Sequence, residues 1–288
     1  MTELRFDDRV VIVTGAGGGL GGAYARLLAS RGAKVVANDL AVTDDDGRTP
    51  AARLVAQIAG DGGEAVAVDS SVAEPGAGEA IVQAALDAFG RVDVVINNAG
   101  FVQDRSFAKM TQEDLDAILD VHYYGPYHLT KAAWPHLREQ QYGRVVFTTS
   151  VAGLYGNFGQ ANYSSGKAAV IGLGRTLAIE GARSGIRVNL VSPGAATAMT
   201  AAVVPEHLHA AMSPERVAPM VAYLAHETCA VTGEIFHAVG GHYARNFIAV
   251  TSGYRNPDAS IEDIADHLGQ ITDLSDWEIP GQAIELPE

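Results

Sequence analysis

The sequence predicts an α/β fold: a doubly wound sheet of about seven parallel strands with helices on both faces. Three observations predict it. Short β-branched runs alternate along the chain with longer Ala/Leu-rich segments. Those runs are almost continuously apolar, without the in/out alternation of a strand that has one wet face, which is how strands buried on both sides of a parallel sheet read. The chain, 288 residues long and 48% hydrophobic, can also bury the core that one such domain needs.

The predicted strands are "RVVIVTG" (9–15), "AKVVANDL" (33–40), "EAVAVDSS" (64–71), "VDVVINNAG" (92–100), "GRVVFTTS" (143–150), "IRVNLVSPG" (186–194) and "EIFHAVGG" (234–241). Helical segments lie between them, and a helical crossover makes its two flanking strands parallel. Ligands of such sheets bind beyond the carboxyl ends of the strands, where every motif discussed below sits. There is no further internal repeat and no low-complexity tract. The rhythm stops near Ala244, so the chain divides into a main domain, 1–243, and a C-terminal extension, 244–288. In the extension Ser260 and Asp263 fit a capping box for one helix whose Ile261, Ile264, Leu268 and Ile271 form an apolar stripe. That helix is expected to dock on the core, with a substrate lid or dimer contact as the alternative.

Composition removes several function classes. With 20 basic and 34 acidic residues the formal charge is −14, which opposes a general grip on nucleic acid or on anionic lipid. The longest apolar candidate, "AAVIGLGRTLAI", is interrupted by Arg175 and falls short of the ~20 residues that cross a bilayer. No membrane partner is expected. Cys229 is the only cysteine, so no internal disulfide forms and a reducing compartment is the expected setting. The start, "MTELRFDDRV", does not read as a signal peptide, and a cytoplasmic location is expected. No metal is expected.

The first strand runs into "TGAGGGLGGAYA". Glycines there let the backbone approach a pyrophosphate, and the N-terminus of the following helix offers free N–H groups. This is the Rossmann-like anion cradle. Two registers fit: Gly17, Gly19 and Gly22 match G-x-G-x-x-G, while Thr14, Gly15, Gly19 and Gly21 match T-G-x-x-x-G-x-G. A tight turn without ligand is the alternative to both. The second strand ends in "NDL", where a carboxylate can accept hydrogen bonds from the adenosine ribose and repel a 2′-phosphate. Asp39 therefore points to NAD, and Asp44, Asp45 and Asp46 add negative charge in a solvated loop. Asp69, ending the third strand, is either an adenine contact or a helix cap.

In "GQANYSSGKAAV" Tyr163 and Lys167 stand four positions apart, one above the other on a helix face. With "TGAGGGLG", "NNAG" (97–100), Ser150 thirteen residues before Tyr163, "YSSGK" and "SPG" (192–194), the chain resembles the short-chain dehydrogenase/reductase family across residues 9 to 241. Within it, "DRSFAKM", "KAAW", "YGNFGQANYS" and "LAIEG" resemble the (3R)-hydroxyacyl-CoA dehydrogenase units of the type 2 peroxisomal multifunctional enzymes, a group also known as 17β-hydroxysteroid dehydrogenases. The extension beyond the last strand is part of that resemblance. The chain is expected to lack the hydratase and sterol-carrier parts of such enzymes, and its ending, "LPE", does not match a peroxisomal address.

The resemblance implies an NAD site formed by Gly15, Gly19, Leu20, Gly21, Asp39, Asp69, Asn98, Ala99, Gly100, Tyr163, Lys167, Pro193 and Gly194. It also implies a homodimer or homotetramer and a small-molecule substrate. That substrate is a (3R)-3-hydroxyacyl-CoA, with a 17β-hydroxysteroid or a CoA-linked steroid side chain as the alternative, and Arg105 and Lys109 are candidate contacts for the CoA phosphates. A non-catalytic dinucleotide sensor is the alternative of a different class, and the intact Ser150, Tyr163 and Lys167 argue against it.

Transfer of a hydride from a carbinol carbon to nicotinamide needs a base for the hydroxyl proton and donors for the oxygen. Tyr163 is the candidate base; lowering a phenol by three units from ~10 corresponds to ~4 kcal/mol. An ammonium ~5 Å away supplies ~3 kcal/mol at an effective dielectric of ~20, so Lys167 is expected to lower Tyr163. Ser150 would donate to the substrate oxygen. In the family, the Lys also holds the nicotinamide ribose. One position departs from the common pattern: "VHYYGPYH" places His122 where most relatives have Asn, whose main-chain carbonyl holds a relay water. Pro126 has no N–H to bond the carbonyl of His122, so the relay acceptor can persist, or the segment is simply a kink.

Overall fold

The computed structural model describes residues 2–200 and 204–280. Every strand expected from the apolar runs forms: β1 (Val10–Thr14), β2 (Lys34–Asp39), β3 (Glu64–Asp69), β4 (Val94–Asn97), β5 (Gly143–Thr148), β6 (Ile186–Gly194) and β7 (Ile235–Val239). Between them lie α1 (Gly19–Ser30), α2 (Pro50–Gly60), α3 (Ala77–Phe89), α4 (Gln112–Leu119), α5 (Gly125–Glu139), α6 (Val151–Tyr155), α7 (Ala161–Gly181) and α8 (Ala218–Ala225). The sheet order is β3-β2-β1-β4-β5-β6-β7-β8, and the registered pairs from β3 to β7 are all parallel. The order reverses between β1 and β4, and a doubly wound sheet opens its ligand crevice at that point.

The unbroken apolarity of the strands follows from two cores, one per sheet face. Successive side chains of a strand point to opposite faces. Val11 and Val13 of β1 therefore pack with Leu28 of α1 and Leu224 of α8. Val10 and Ile12 pack on the other side with Ile81 of α3, Leu129 of α5 and Val170 of α7. All four β1 side chains are fully buried, and burial of each contributes roughly 1.5–3 kcal/mol.

An eighth strand joins the seven parallel ones at the edge of the sheet. β8 (His242–Asn246) follows β7 after Gly240 and Gly241, whose φ angles of 56° and 87° suit a two-residue hairpin. A link that short can only join antiparallel strands. The sequence "HYARN" is half-exposed and polar at this sheet edge, so a search for continuous apolar runs passes over it.

A compact second unit begins at Asn246. It holds β9 (Val250–Thr251) paired antiparallel with β10 (Trp277–Glu278), and two short helices, α9 (Ile261–Asp266) and α10 (Leu268–Ile271). The capping box forms as predicted: Ser260 Oγ accepts from Asp263 N at 3.1 Å and Asp263 Oδ2 accepts from Ser260 N at 3.0 Å. The single predicted helix instead breaks at His267, whose ring stacks on Tyr254 at 3.8 Å. Ile261, Ile264 and Leu268 of the predicted stripe are exposed.

Two neighbouring glycines of the turn separate packing from conformation. A Cβ on Gly21 would stand 2.1 Å from Gly15 O and 2.7 Å from Asn98 Nδ2, whereas a Cβ on Gly18 meets nothing within 4 Å. Gly21→Ala is expected to lower stability by about 2 kcal/mol or more and to weaken dinucleotide binding, while Gly18→Ala stays within about 1 kcal/mol of the parent. Urea unfolding of both variants checks this, and equal stabilities would contradict it.

Candidate active site

The carboxyl ends of β1, β4, β5 and β6 border a cleft of about 970 Å³. Its framework is a knot between β1 and β4. Thr14 Oγ1 accepts from the main-chain N–H groups of Asn98 and Ala99 at 3.0 and 3.1 Å, and Asn98 Nδ2 donates back to Thr14 O at 3.0 Å. Gly15 sits between them at φ 63°, where a Cβ would lie 2.8 Å from Ala99 Cα. α1 then starts at Gly18 with no side-chain cap and no acidic residue in its first turn. Its unpartnered N–H groups and dipole suit a pyrophosphate.

Of the predicted cofactor residues, Gly15, Gly19, Leu20, Asp39, Asn98, Ala99, Gly100, Tyr163, Lys167, Pro193 and Gly194 line the cleft. Gly21 does not; it packs α1 against the knot beneath. Gly17, the first glycine of the other register, also lies off the cleft, since its Cβ would strike Pro50 of α2 at 2.1 Å. Of the two registers, the one that includes Gly15 has Gly15 and Gly19 on the cleft, and the other has Gly19 alone. Asp39 accepts from Gly17 N and Leu40 N, each at 2.7 Å, and so is held rigidly at the end of β2. Asp69 is exposed at the end of the edge strand, next to Ser70, Ser71 and Val72, which line the cleft. Asn38, which sequence reasoning missed, fixes that corner by donating to Val68 O and Ser70 O at 3.0 and 2.9 Å.

Ser150 stands two residues beyond β5 and caps α6, its Oγ accepting from Ala152 N at 3.1 Å. It also acts on the Tyr163 phenol, lowering it. Lys167 is buried one turn along α7, its Nζ donating to Thr148 O at 2.8 Å and standing 5.8 Å from the centre of the Tyr163 ring. Thr149 Oγ1, another missed contributor, donates to Lys167 O at 2.7 Å and ties α7 to β5. Asn162, in the first turn of α7, accepts from Tyr163 N through Oδ1 at 2.8 Å, and its Nδ2 donates to Gln103 O and Asp114 O at 3.1 Å each, tying that turn to the loop after β4 and to α4. The four side chains Ser150, Tyr163, Lys167 and His122 all line the one cleft.

Burial sets the electrostatics. It pushes the Lys167 ammonium down to about 7. The Tyr163 phenol is held above its ordinary value, first by burial and then by the nearby Asp104 carboxylate, with the Ser150 hydrogen bond acting the other way. The expectation that Lys167 lowers Tyr163 is thus not met in this geometry. His122 is pushed down to about 2, mainly by burial and then by Lys167. Its Nε2 lies 2.7 Å from Phe101 O and 3.1 Å from Phe101 N, and its Nδ1 has no partner. It lies in a π-helical turn, Asp120–Tyr124, directly before Pro126. Arg105 and Lys109 do not form a free basic cluster: neither lines the cleft, and Arg105 Nε pairs with Asp114 Oδ2 at 3.1 Å.

A parallel sheet with its crevice at the strand switch, a glycine-cradled helix N-terminus and a Ser–Tyr–Lys cluster together define a nucleotide-dependent oxidoreductase acting on CH–OH groups. The profile of the family described as short chain dehydrogenase matches residues 9–208, and the chain belongs to that family. It is 46% identical over 287 residues to the peroxisomal multifunctional enzyme type 2 of Mus musculus, covering 97% of this chain and 38% of that protein. It is 47% identical over 278 residues to a short-chain type dehydrogenase/reductase of Mycobacterium tuberculosis, covering 95% and 97%. The full-length structure of peroxisomal multifunctional enzyme type 2 from Drosophila melanogaster superposes with a TM-score of 0.82 at 37% identity, covering 96% of this chain and 48% of that one. The chain therefore spans less than half the length of these two multifunctional relatives. No helix among the described residues is long and apolar enough to cross a membrane.

Two expectations follow from the burial of Lys167 and His122. Between about pH 7 and the ordinary Lys value of 10.5, the unfolded chain holds a proton that the folded chain does not, so the parent's stability rises with pH. Lys167→Met should be the more stable protein at about pH 6 and lose that advantage by about 1.4 kcal/mol per pH unit above 7; parallel denaturant titrations measure it. His122→Asn should retain activity within about tenfold if the ring only holds Phe101, because an amide offers the same donor and acceptor. A collapse of kcat with the fold intact, by circular dichroism, would assign the imidazole itself a part in the reaction.

Proposed function

We propose that the chain oxidises a (3R)-3-hydroxyacyl-CoA to the 3-oxoacyl-CoA with NAD⁺. The observation that carries this reading is the convergence of Ser150, Tyr163 and Lys167 in the cleft that begins at the N-terminus of α1, with Lys167 Nζ one turn behind the phenol. When bound, NAD⁺ supplies the hydride acceptor and a positive charge. Gly15, Gly19 and Leu20 would hold its pyrophosphate, Asp39 the adenosine ribose, and Lys167 the nicotinamide ribose.

Tyr163 takes the proton of the substrate hydroxyl, and Ser150 donates to the oxygen as it becomes a carbonyl. Lys167, titrating near 7, is matched to passing that proton on toward solvent. NAD is favoured over NADP by Asp39 and by the lining itself, in which Lys167 is the only Lys or Arg among the described residues. A 2′-phosphate would find a carboxylate and no partner. The substrate class rests on the multifunctional relatives, and the exposed Phe101, Val102, Val151 and Met199 give the cleft an apolar side for an acyl chain. A homodimer or homotetramer belongs to this reading through the family resemblance. A cytoplasmic, reducing setting suits the single buried thiol of Cys229.

A panel of (3R)- and (3S)-hydroxyacyl-CoAs of graded chain length, assayed by NADH formation, tests the proposal; oxidation of none of the (3R) thioesters would overturn it. Tyr163→Phe should bind NAD⁺ as the parent does and lose about 10²-fold or more in kcat, measured by titration and steady-state kinetics. Asp39→Ser should narrow the preference for NAD⁺ over NADP⁺ by about tenfold or more, read as the ratio of the two kcat/KM values.

A further inference from the structure

The loop after β4 and the loop before α7 are stitched together beside Tyr163. Arg105 N donates to Gly159 O at 2.7 Å, and Asn162 Nδ2 donates to Gln103 O at 3.1 Å. Between these links Gln160 Nε2 lies 2.9 and 3.0 Å from the two carboxylate oxygens of Asp104, while Gln160 Oε1 accepts from Asn157 Nδ2 at 3.0 Å. The amide has one orientation available, and it fixes the carboxylate in turn. Asp104, Asn157 and Gln160 all line the cleft that holds Ser150 and Tyr163.

The charge on Asp104 is not neutralised. Its partner is an amide, and the adjacent Arg105 turns to Asp114 instead. Lys167, the cation of the cleft, is buried with its head on Thr148 O. Asp104 is close enough to Tyr163 to act on the phenol electrostatically. We infer that Asp104 is a specificity-determining residue that admits neutral 3-hydroxyacyl derivatives and turns away free 3-hydroxy acids. With the carbinol oxygen between Ser150 and Tyr163, the acyl carbon lies two bonds from the reacting carbon. There a thioester is neutral and a free acid carries a full negative charge. Like charges about 5 Å apart at a wet rim change binding by about four- to tenfold. The inference rests on the proposed oxidation of hydroxyacyl thioesters.

The test compares (3R)-3-hydroxybutanoate with its uncharged N-acetylcysteamine thioester in the full chain, as the ratio of their kcat/KM values, for the parent, Asp104→Asn and Asp104→Ser. The ratio cancels any loss common to both substrates, and Asn keeps an acceptor for Gln160. The expected result is an acid-to-thioester ratio raised about four- to tenfold in both variants. Added salt should raise the ratio in the parent and leave the variants flat. A ratio unchanged in both variants overturns the inference. If the parent oxidises no thioester, the proposed function fails separately. The charge preference is then read by intrinsic fluorescence from binding of acetoacetate against ethyl acetoacetate, where equal preference in parent and Asp104→Asn overturns the inference.

Discussion

The Thr14 hydroxyl accepts two main-chain N–H groups at once, and that single side chain ties the end of β1 to the end of β4 where the strand order reverses. The rest of the cleft depends on it. With Asn98 and Ala99 drawn onto Thr14, the chain between β1 and α1 must turn within Gly15, whose positive φ and missing Cβ make room for Ala99. The turn then points the first N–H groups of α1 across the strand ends rather than into the sheet. Asn98 Nδ2 closes the arrangement through Thr14 O and Gly15 O. In the proposed reading, the cradle for an anion and the floor for a nicotinamide ring would be two sides of one hydrogen-bonded knot.

The reactive side chains stand under a second constraint. Burial favours the neutral form of every ionisable group, which raises a phenol and lowers an ammonium. For Tyr163 and Lys167 to rest as a phenolate–ammonium pair, their attraction would have to exceed two desolvation costs. The shifts show that it does not, since Tyr163 lies above its ordinary value and Lys167 is brought down to about 7. Lys167 at about 7 is half protonated at neutral pH, beside a phenol that keeps its proton. In the proposed reading the positive nicotinamide is the third charge that tips it, which couples proton removal to a loaded site. The Coulomb estimate made from sequence omitted this because four-residue spacing reports proximity and not burial.

What could be read from the sequence follows the same logic. The strands, the cradle and the Ser150–Tyr163–Lys167 set were legible because each is a local pattern: continuous apolarity, a glycine run after a strand, fixed spacings along a helix. β8 was not, because an edge strand with one wet face has no continuous apolar run. Asp69 does end β3 as read, yet it is exposed and stands off the cleft, since a strand end fixes a position and not the face its side chain takes. Asn38 and Asn162 were overlooked beside the conspicuous Asp39 and Tyr163, although an amide next to a reactive group at a strand or helix end is itself a signal of main-chain anchoring. The Asp104–Gln160 link joins residues 56 apart in sequence, and no spacing rule reaches that far.

Position 122 shows how a departure from a family pattern is absorbed. An imidazole is larger than the amide it replaces, and the room comes from two glycines: a Cβ on Gly100 would lie 2.3 Å from its Cε1, and one on Gly166 would lie 3.1 Å from its Cβ. The ring then stands edge-on to Tyr163 with centroids 5.1 Å apart and grips Phe101 through Nε2. The shorter contact, to Phe101 O, makes Nε2 the donor and leaves the buried Nδ1 as a bare acceptor. A ring held to about 2 is neutral across the working range, so passing a proton through it would require an imidazolium in a buried site beside Lys167. The main chain has no such obstacle. The π-helical turn and the missing N–H of Pro126 deny the His122 carbonyl its ordinary helical donor, and that freedom comes from the backbone and the proline, whichever side chain residue 122 carries.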